Sequence, residues 1–446
     1  MGASKMKWAR CSHATRWSGA ALLVAVGALL TAACGSSTPS SPPPVHGVGE
    51  VNHTHVGAVY VALHGRPAAG GKSCGSARYS AIPAGIAAAS AGETIVVCAG
   101  TYPGGVVVTK PVVLLGKGAT IDASGTDNGI TLPVSGATVK GFKVENAIGE
   151  GILAVGKKGL PVTHVTIAKN VVEGNDLGAN QVPTYGKYGQ CPPYVACSAD
   201  RGQAAQPTYW KYRECAPQGP VPGDCGEGIH LMVAADSNVI WNTVKGNTGG
   251  ILLTDEFGPT DSNLIAHNTV VDNLYDCGVT LAGHNPGAFA NGSPKPAVAG
   301  VFDNTITGNT ITGNGVKGQG AGVVMATPMP GGGVYDNTIV DNTISGNGLS
   351  GVTMHAHPPG EDLNGNVIRD NTIGTNNLDG DKDFAPHVDT VTTGVLVATT
   401  ASPVSVTITK NTISSDTDGI WTTGPVTVTS TSANTFRHVT RDVASG

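Results

Sequence analysis

DNTITGNTITGN (303–314) and DNTIVDNTISGN (336–347) repeat one short phrase four times: Asn, Thr, Ile, then a short polar step back to Asn. Working outward, the phrase recurs as KNVVEGN (169–175), WNTVKGN (241–247), HNTVVDN (267–273), DNTIGTN (370–376) and KNTISSD (410–416). A second element accompanies it, a Gly followed by alternating apolar residues, beginning at Gly129, Gly151, Gly228, Gly250, Gly278, Gly322, Gly351, Gly394 and Gly419. Most steps between these glycines are about 22 to 29 residues, and each of the three longer steps holds one insertion, so nine rungs share one register. A period of this length, with short β-branched strands and Asn or Gly corners, is what a parallel β-solenoid needs, because each coil supplies strands that pair with the coils before and after. Asn tolerates left-handed corners and can form amide ladders between coils. The spaced Leu pattern of a leucine-rich repeat and the blade signature of a propeller are both missing.

Composition agrees. Gly 64 and Pro 28 among 446 residues, with 40% hydrophobic but only 5% aromatic residues, call for a core of Val, Ile, Leu and Ala and a chain of many strands and turns. Only 13% of residues are charged, which excludes a coiled coil, a Glu- and Lys-rich bundle or charge-driven disorder. Lys+Arg 26 against Asp+Glu 31 leaves a net charge of -5, with no electrostatic footprint for nucleic acid.

The N-terminus gives an address. Basic residues precede an apolar run from Gly19 to Ala33, too short to span a bilayer and suited to a secretory signal. The run ends in small residues at Cys34, which resembles a bacterial lipobox, with Thr31 departing from the usual aliphatic residue. Residues 1–33 are therefore expected to be a lipoprotein signal peptide, Cys34 the lipidated residue and 34–56 a Ser/Pro-rich tether. The remaining body, 57–446, would be extracytoplasmic and lipid-anchored to the bacterial cell membrane, meeting the membrane through that anchor only. In an oxidising compartment Cys74 and Cys98 are the expected disulfide at the start of this body.

The stretch AIPAGIAAA (81–89) followed by AGETIVVCAGTYPGGVVVTKPVVLLGKGATIDASG (91–125) resembles the capping helix and first coils of right-handed parallel β-helix proteins of the pectin-lyase-like superfamily. The resemblance covers roughly residues 57–446. It implies an all-β, single-stranded right-handed parallel β-helix with a short N-terminal capping helix; its motifs specify fold, not reaction. The rungs GEGIHLM, GGILLTDEFGP, DCGVTLAGHNP and SGVTMHAHPPG further resemble exported actinobacterial β-helix repeat proteins.

Strand alternation sorts the side chains of each rung. The first and third positions after the Gly are apolar and point inward; the second, fourth and sixth point outward. Position six reads Glu256, His284, Pro328 and His357 in consecutive rungs, and position four reads Thr254, Ala282, Ala326 and His355. With rungs about 4.8 Å apart, Glu256 and His284 are expected to be neighbours, with His357 about 10 Å further along. Such a face suits acidic-polysaccharide chemistry. Asp255 or Glu256 would neutralise a uronate directly or through a bound Ca²⁺, no cofactor otherwise being required, and His284 would serve as base. An H-x-H pair, His355 and His357, could instead chelate a metal, although spacing fixes no third ligand. The competing reading is that these groups satisfy turn hydrogen bonds. If they form a site, His284, as an exposed turn residue, is expected to contribute little to stability; a large loss of stability on its removal would go with the hydrogen-bonding reading.

A Cys- and Tyr-rich insertion at 178–225 carries Tyr185, Tyr188, Tyr209, Trp210 and Tyr212, side chains on which sugar rings stack or which fill a loop lacking its own core. The Asp pair and G-H-G element of β-helix polygalacturonases, and the signature segments of pectate lyases and mannuronan epimerases, are not found. The sequence thus points to a monomeric lipoprotein that binds or modifies a polysaccharide or cell-envelope glycan, by lyase or epimerase chemistry ahead of hydrolysis. The alternative is a non-catalytic envelope or adhesion protein.

Overall fold

The computed structural model describes residues 57–175, 227–317, 320–328, 330–356, 358–378 and 391–446. The signal, Cys34 and its tether, the 178–225 insertion with its five aromatic candidates, and His357 lie outside the described residues.

The chain is a right-handed parallel β-helix. Every pairing between its strands is parallel, and they gather into sheets of 21, 11 and five strands. The register of the 11-stranded sheet follows the glycines read from sequence: Ile130, Ile152, Ile229, Ile251, Val279, Val323, Val352, Val395 and Ile420 stand in one column. Sterics explain the glycine before each of them. A Cβ on Gly228 would sit 2.4 Å from the Val244 methyl, and one on Gly250 would sit 2.1 Å from the Gly278 carbonyl oxygen. The need is for close approach, since neither residue has a left-handed backbone.

Inward positions fill one continuous core of Ile, Val, Leu and Met, including Ile229, Leu231, Ile251, Leu253, Val279, Leu281, Met325 and Met354. Each such residue contributes about 1.5–3 kcal/mol through burial. Because the coil is built of stacked equivalents, the core is a column and not a ball, and each rung is stabilised mainly by its two neighbours.

The corners are built by the repeated phrase. In each corner one residue takes a left-handed conformation, as Lys169, Trp241, His267, Asp341 and Asp370 do, and the Asn after it turns inward. The inward amides stack into three ladders. One runs Asn170, Asn242, Asn268, Asn309, Asn342, Asn371, Asn411, Asn434, with successive side-chain bonds of 3.0 Å. The second runs from Asn175 through Asn247, Asn273, Asn314, Asn347 and Asn376 to Asp416. The third runs from Ser237 through Asn263, Asn304 and Asn337 to Asn366. Each Asn also caps backbone groups, so the corner amides that no strand satisfies find partners inside.

The only α-helix among the described residues, Ile82–Ala88, closes the N-terminal end by burying Ile82 and Ile86 against Val61 and Ile95. Gly85 lets it approach, since a Cβ there would lie 2.5 Å from Val61. Cys74 and Cys98 form a disulfide across this end, with Cα atoms 5.7 Å apart. No described helix is long and apolar enough to cross a membrane.

Candidate functional site

Two outward surfaces hold the groups able to do chemistry or bind a ligand. The first is the outer side of the 11-stranded sheet, where outward does not mean exposed. At position two, Leu153, His230, Leu252, Leu396 and Trp421 are all buried, and Phe257 packs on Leu153, Val155 and Met232.

Within this covered layer, the structure brings Glu256 and His284 together, with Glu256 Oε1 3.1 Å from His284 Nδ1. Thr254, on strand Gly249–Thr254, donates to Glu256 Oε2 at 2.5 Å. The Thr254 oxygen lies 2.8 Å from His230 Nε2. Since the hydroxyl proton goes to Glu256, His230 Nε2 must carry the proton of that contact. His230 Nδ1 is in turn 3.6 Å from Glu150. Carboxylate, imidazole, hydroxyl, carboxylate and imidazole thus form a chain across four rungs. Glu227, on the rung beside Glu150, is buried next to it. His230, Glu150 and Glu227 escaped the sequence reading, which followed only positions four and six. The signal was available: His230 is the outward position two of GEGIHLM.

Asp255 lies beneath the pair, fully buried, and accepts the backbone N–H groups of His284 at 2.7 Å, Asn285 at 3.0 Å and Gly300 at 2.6 Å. Burial pushes its carboxyl up to about 7, the charge of Glu256 adds to this, and His284 and the N–H donors oppose it. Both its oxygens already accept backbone N–H donors, which leaves Asp255 poorly placed to serve as a Ca²⁺ ligand.

His284 itself departs from the sequence expectation. Its side chain is 1% exposed and that of Glu256 is 3% exposed. The long turn that follows, residues 285–300, is tied back to the coil by Gly300 on Asp255 and by the Phe289 N–H on the Gly331 carbonyl at 2.8 Å. His355, at position four of strand Val352–Ala356, pairs with Ala326 and Ala398, two rungs beyond Ala282 or about 10 Å away. It is partly exposed and stands apart from the Glu256–His284 pair.

The second surface is the exposed side of the 21-stranded sheet. Thr243, Thr269, Thr310, Thr343, Thr372, Thr412 and Thr435 stand in register over seven successive rungs, a column of about 29 Å. Thr269, Thr310, Thr343 and Thr372 are exposed. This column is the Thr of the repeated Asn-Thr phrase, placed outward by the inward turn of the Asn. At its N-terminal end lies an open groove of about 450 Å³ lined by Glu145, Glu173, Lys245 and Asp272. Its charges are largely spent on one another, with Lys143 bridging Glu145 and Glu173 at 2.6 and 2.9 Å and Lys245 reaching Glu173 at 3.0 Å. These bonds hold the Glu173 carboxyl below its ordinary range.

Comparison with known proteins adds the following. A family model described as periplasmic copper-binding protein (NosD) matches residues 223–357. No curated protein matches the sequence. Among solved structures, the A-module of the Azotobacter vinelandii mannuronan C-5 epimerase AlgE4 is similar at 16% identity, covering 82% of this chain and 96% of that one, with a TM-score of 0.35. An alginate lyase from a Paenibacillus species is 12% identical over 82% of this chain and 95% of that one, with a TM-score of 0.40. The tailspike of E. coli bacteriophage HK620, in complex with a hexasaccharide, is 11% identical over 80% and 61%, with a TM-score of 0.40. At these identities the likeness is one of fold.

The described residues of the matched span do not fit copper, which favours thiolate, thioether and imidazole donors held together. His230 and His284 are engaged with Thr254 and Glu256, while Met325 and Met354 belong to the core. Cys277 sits among Ala321, Val324 and Leu349, and its sulfur accepts the Ala321 N–H at 3.2 Å. No three His, Cys, Asp or Glu residues gather into a metal-binding group among the described residues. What the register, the parallel pairing and the amide ladders do establish is the architecture: this chain is a right-handed parallel β-helix.

Proposed function

We propose that this is an exported, lipid-anchored and monomeric β-helix protein that binds a polysaccharide at the cell envelope. The observation that carries the reading is the exposed Thr column. Seven hydroxyls repeating at the rung spacing form a track that suits a linear, hydroxyl-rich polymer better than a compact substrate. Thr also favours strands for its own sake, and cross-strand Thr pairs stabilise the sheet. Binding is therefore a use made of a surface that the fold already supports. The insertion residues Tyr185, Tyr188, Tyr209, Trp210 and Tyr212 belong to the same proposal as further stacking groups.

Burial of Glu256 and His284 favours holding a glycan over transforming it, because neither side chain is open to a sugar in this structure. A second reading keeps lyase or epimerase chemistry, with His284 as base oriented by Glu256. It draws on the raised carboxyl of Asp255 beside that pair, since shifted groups cluster at reactive sites. A glycan array followed by an absorbance assay for unsaturated uronates separates the two: binding without turnover is expected. Turnover that His284→Gln abolishes would install the second reading instead. For the anchor, the full chain should partition into detergent and Cys34→Ala should not; aqueous behaviour of both would remove it.

A further inference from the structure

Trp241 occupies a corner where the fold asks for something else. At the equivalent corner of other rungs stand Gly141, Lys169, Gly308, Asp341, Asp370 and Lys410. Trp241 has φ 59°, a left-handed conformation that a bulky side chain adopts only at a cost. The core gains nothing from it: the inward position is taken by Asn242, and Trp241 is 55% exposed. On the next rung His267, with φ 57°, takes the same conformation, and its ring stacks on the indole with centroids 4.3 Å apart and planes 18° from parallel. Gly308 on the rung after lets this happen, since a Cβ there would lie 2.7 Å from His267 Nδ1. One indole face is covered by His267, and just over half of the Trp241 surface stays open to solvent.

The surroundings point to a ligand. Two residues after each ring come Thr243 and Thr269, the first two members of the Thr column. On the neighbouring sheet face Ile240, Ala266 and Ala168 form a buried apolar patch, flanked by half-buried Leu264. Lys169, exposed, holds the adjacent corner. An exposed aromatic pair next to a row of hydroxyls matches a pyranose ring, which is apolar across its C–H faces and polar around its edge. A nucleobase would also stack, but a phosphate backbone needs a basic track to follow, whereas a row of Thr hydroxyls runs on from these rings.

We propose that Trp241 and His267 form an aromatic platform that anchors one sugar ring of a glycan chain at the N-terminal end of the Thr column. This rests on the polysaccharide-binding reading and adds to it a location and an anchoring contact. Lys169 selects for chains whose rings carry a carboxylate.

The test is calorimetric titration of the full chain with a hexameric oligouronate and with cellohexaose, comparing wild type, Trp241→Gly and Trp241→Tyr. Trp241→Gly should weaken binding about tenfold, the weight of one aromatic stacking contact. Its melting temperature should hold or rise, because Gly suits the left-handed corner. Trp241→Tyr should keep most of the affinity, and the oligouronate should bind more tightly than cellohexaose in wild type. If wild type binds the oligouronate and Trp241→Gly binds it equally well, the platform is overturned while the polysaccharide reading stands. If wild type binds neither hexamer, both fall. A large drop in melting temperature for Trp241→Gly with unchanged affinity would show the stack to be a structural clamp.

Discussion

The molecule contains two kinds of buried polar network that cross its rungs, and they differ in chemistry. The corner ladders are made of neutral amides, each both donor and acceptor, so a link such as Asn268 to Asn309 to Asn342 can be repeated without limit and without charge. The outer network runs Glu150, His230, Thr254, Glu256, His284 and is made of unlike groups, two carboxylates, two imidazoles and a hydroxyl. Each link needs a particular partner, so the network cannot be repeated by one residue type, and it ends after four rungs. Repetition is thus a property of amides, and irregularity marks the place where protons matter.

The largest effect is expected from Asn309→Asp. The new carboxylate would still accept from Asn268 but would face the Asn342 carbonyl oxygen and the Ile265 carbonyl without a proton to give. A loss of at least about 3 kcal/mol is expected at neutral pH by denaturant unfolding. It should be partly recovered in acid, where the carboxyl protonates and becomes a donor. Equal stability at pH 5 and pH 8 would show that the ladder tolerates charge.

Asp255 sharpens the comparison from the other side. Its folded-state carboxyl is raised to about 7, so between its unfolded value near 4 and pH 7 the folded chain holds a proton that the unfolded chain has lost. Stability should therefore fall as pH rises through that window. Asp255→Asn should flatten this slope and cost about 1–3 kcal/mol, because an amide cannot accept all three backbone N–H groups. Chemical unfolding at several pH values checks both; an unchanged slope would assign the pH dependence to the Glu256–His284 pair.

The smallest effect is expected from Thr310→Val on the exposed column. Stability should stay within about 0.5 kcal/mol, whereas glycan affinity should fall. A variant that melts differently but binds as before would return the column to a purely structural role.

How much of this was legible follows from the same contrast. The Asn of each corner could be read because its neighbours above and below do the same task, and so could the glycine register, since every rung faces the same collision. The proximity of Glu256 and His284 followed from that register. Their burial did not, because strand alternation marks their positions as outward, and on this sheet outward positions are covered. His230 was hidden differently: its outward position was readable, but its partner Glu150 stands before the glycine, where strand alternation is interrupted. Trp241 was quoted within its repeat, yet only the corner conformation reveals that an aromatic there is anomalous.

The amide ladders have one more consequence. In all of them the side-chain carbonyl accepts from the preceding rung and the side-chain nitrogen donates to the next, so their dipoles add along the axis while those of the strands nearly cancel. The two ends of the solenoid are therefore electrically unlike. One ladder closes on Asp416, an anion where the positive end of the column emerges. Two copies meeting end to end would accordingly attract head to tail and repel head to head, which gives the molecule a polarity that its repetitive sequence conceals.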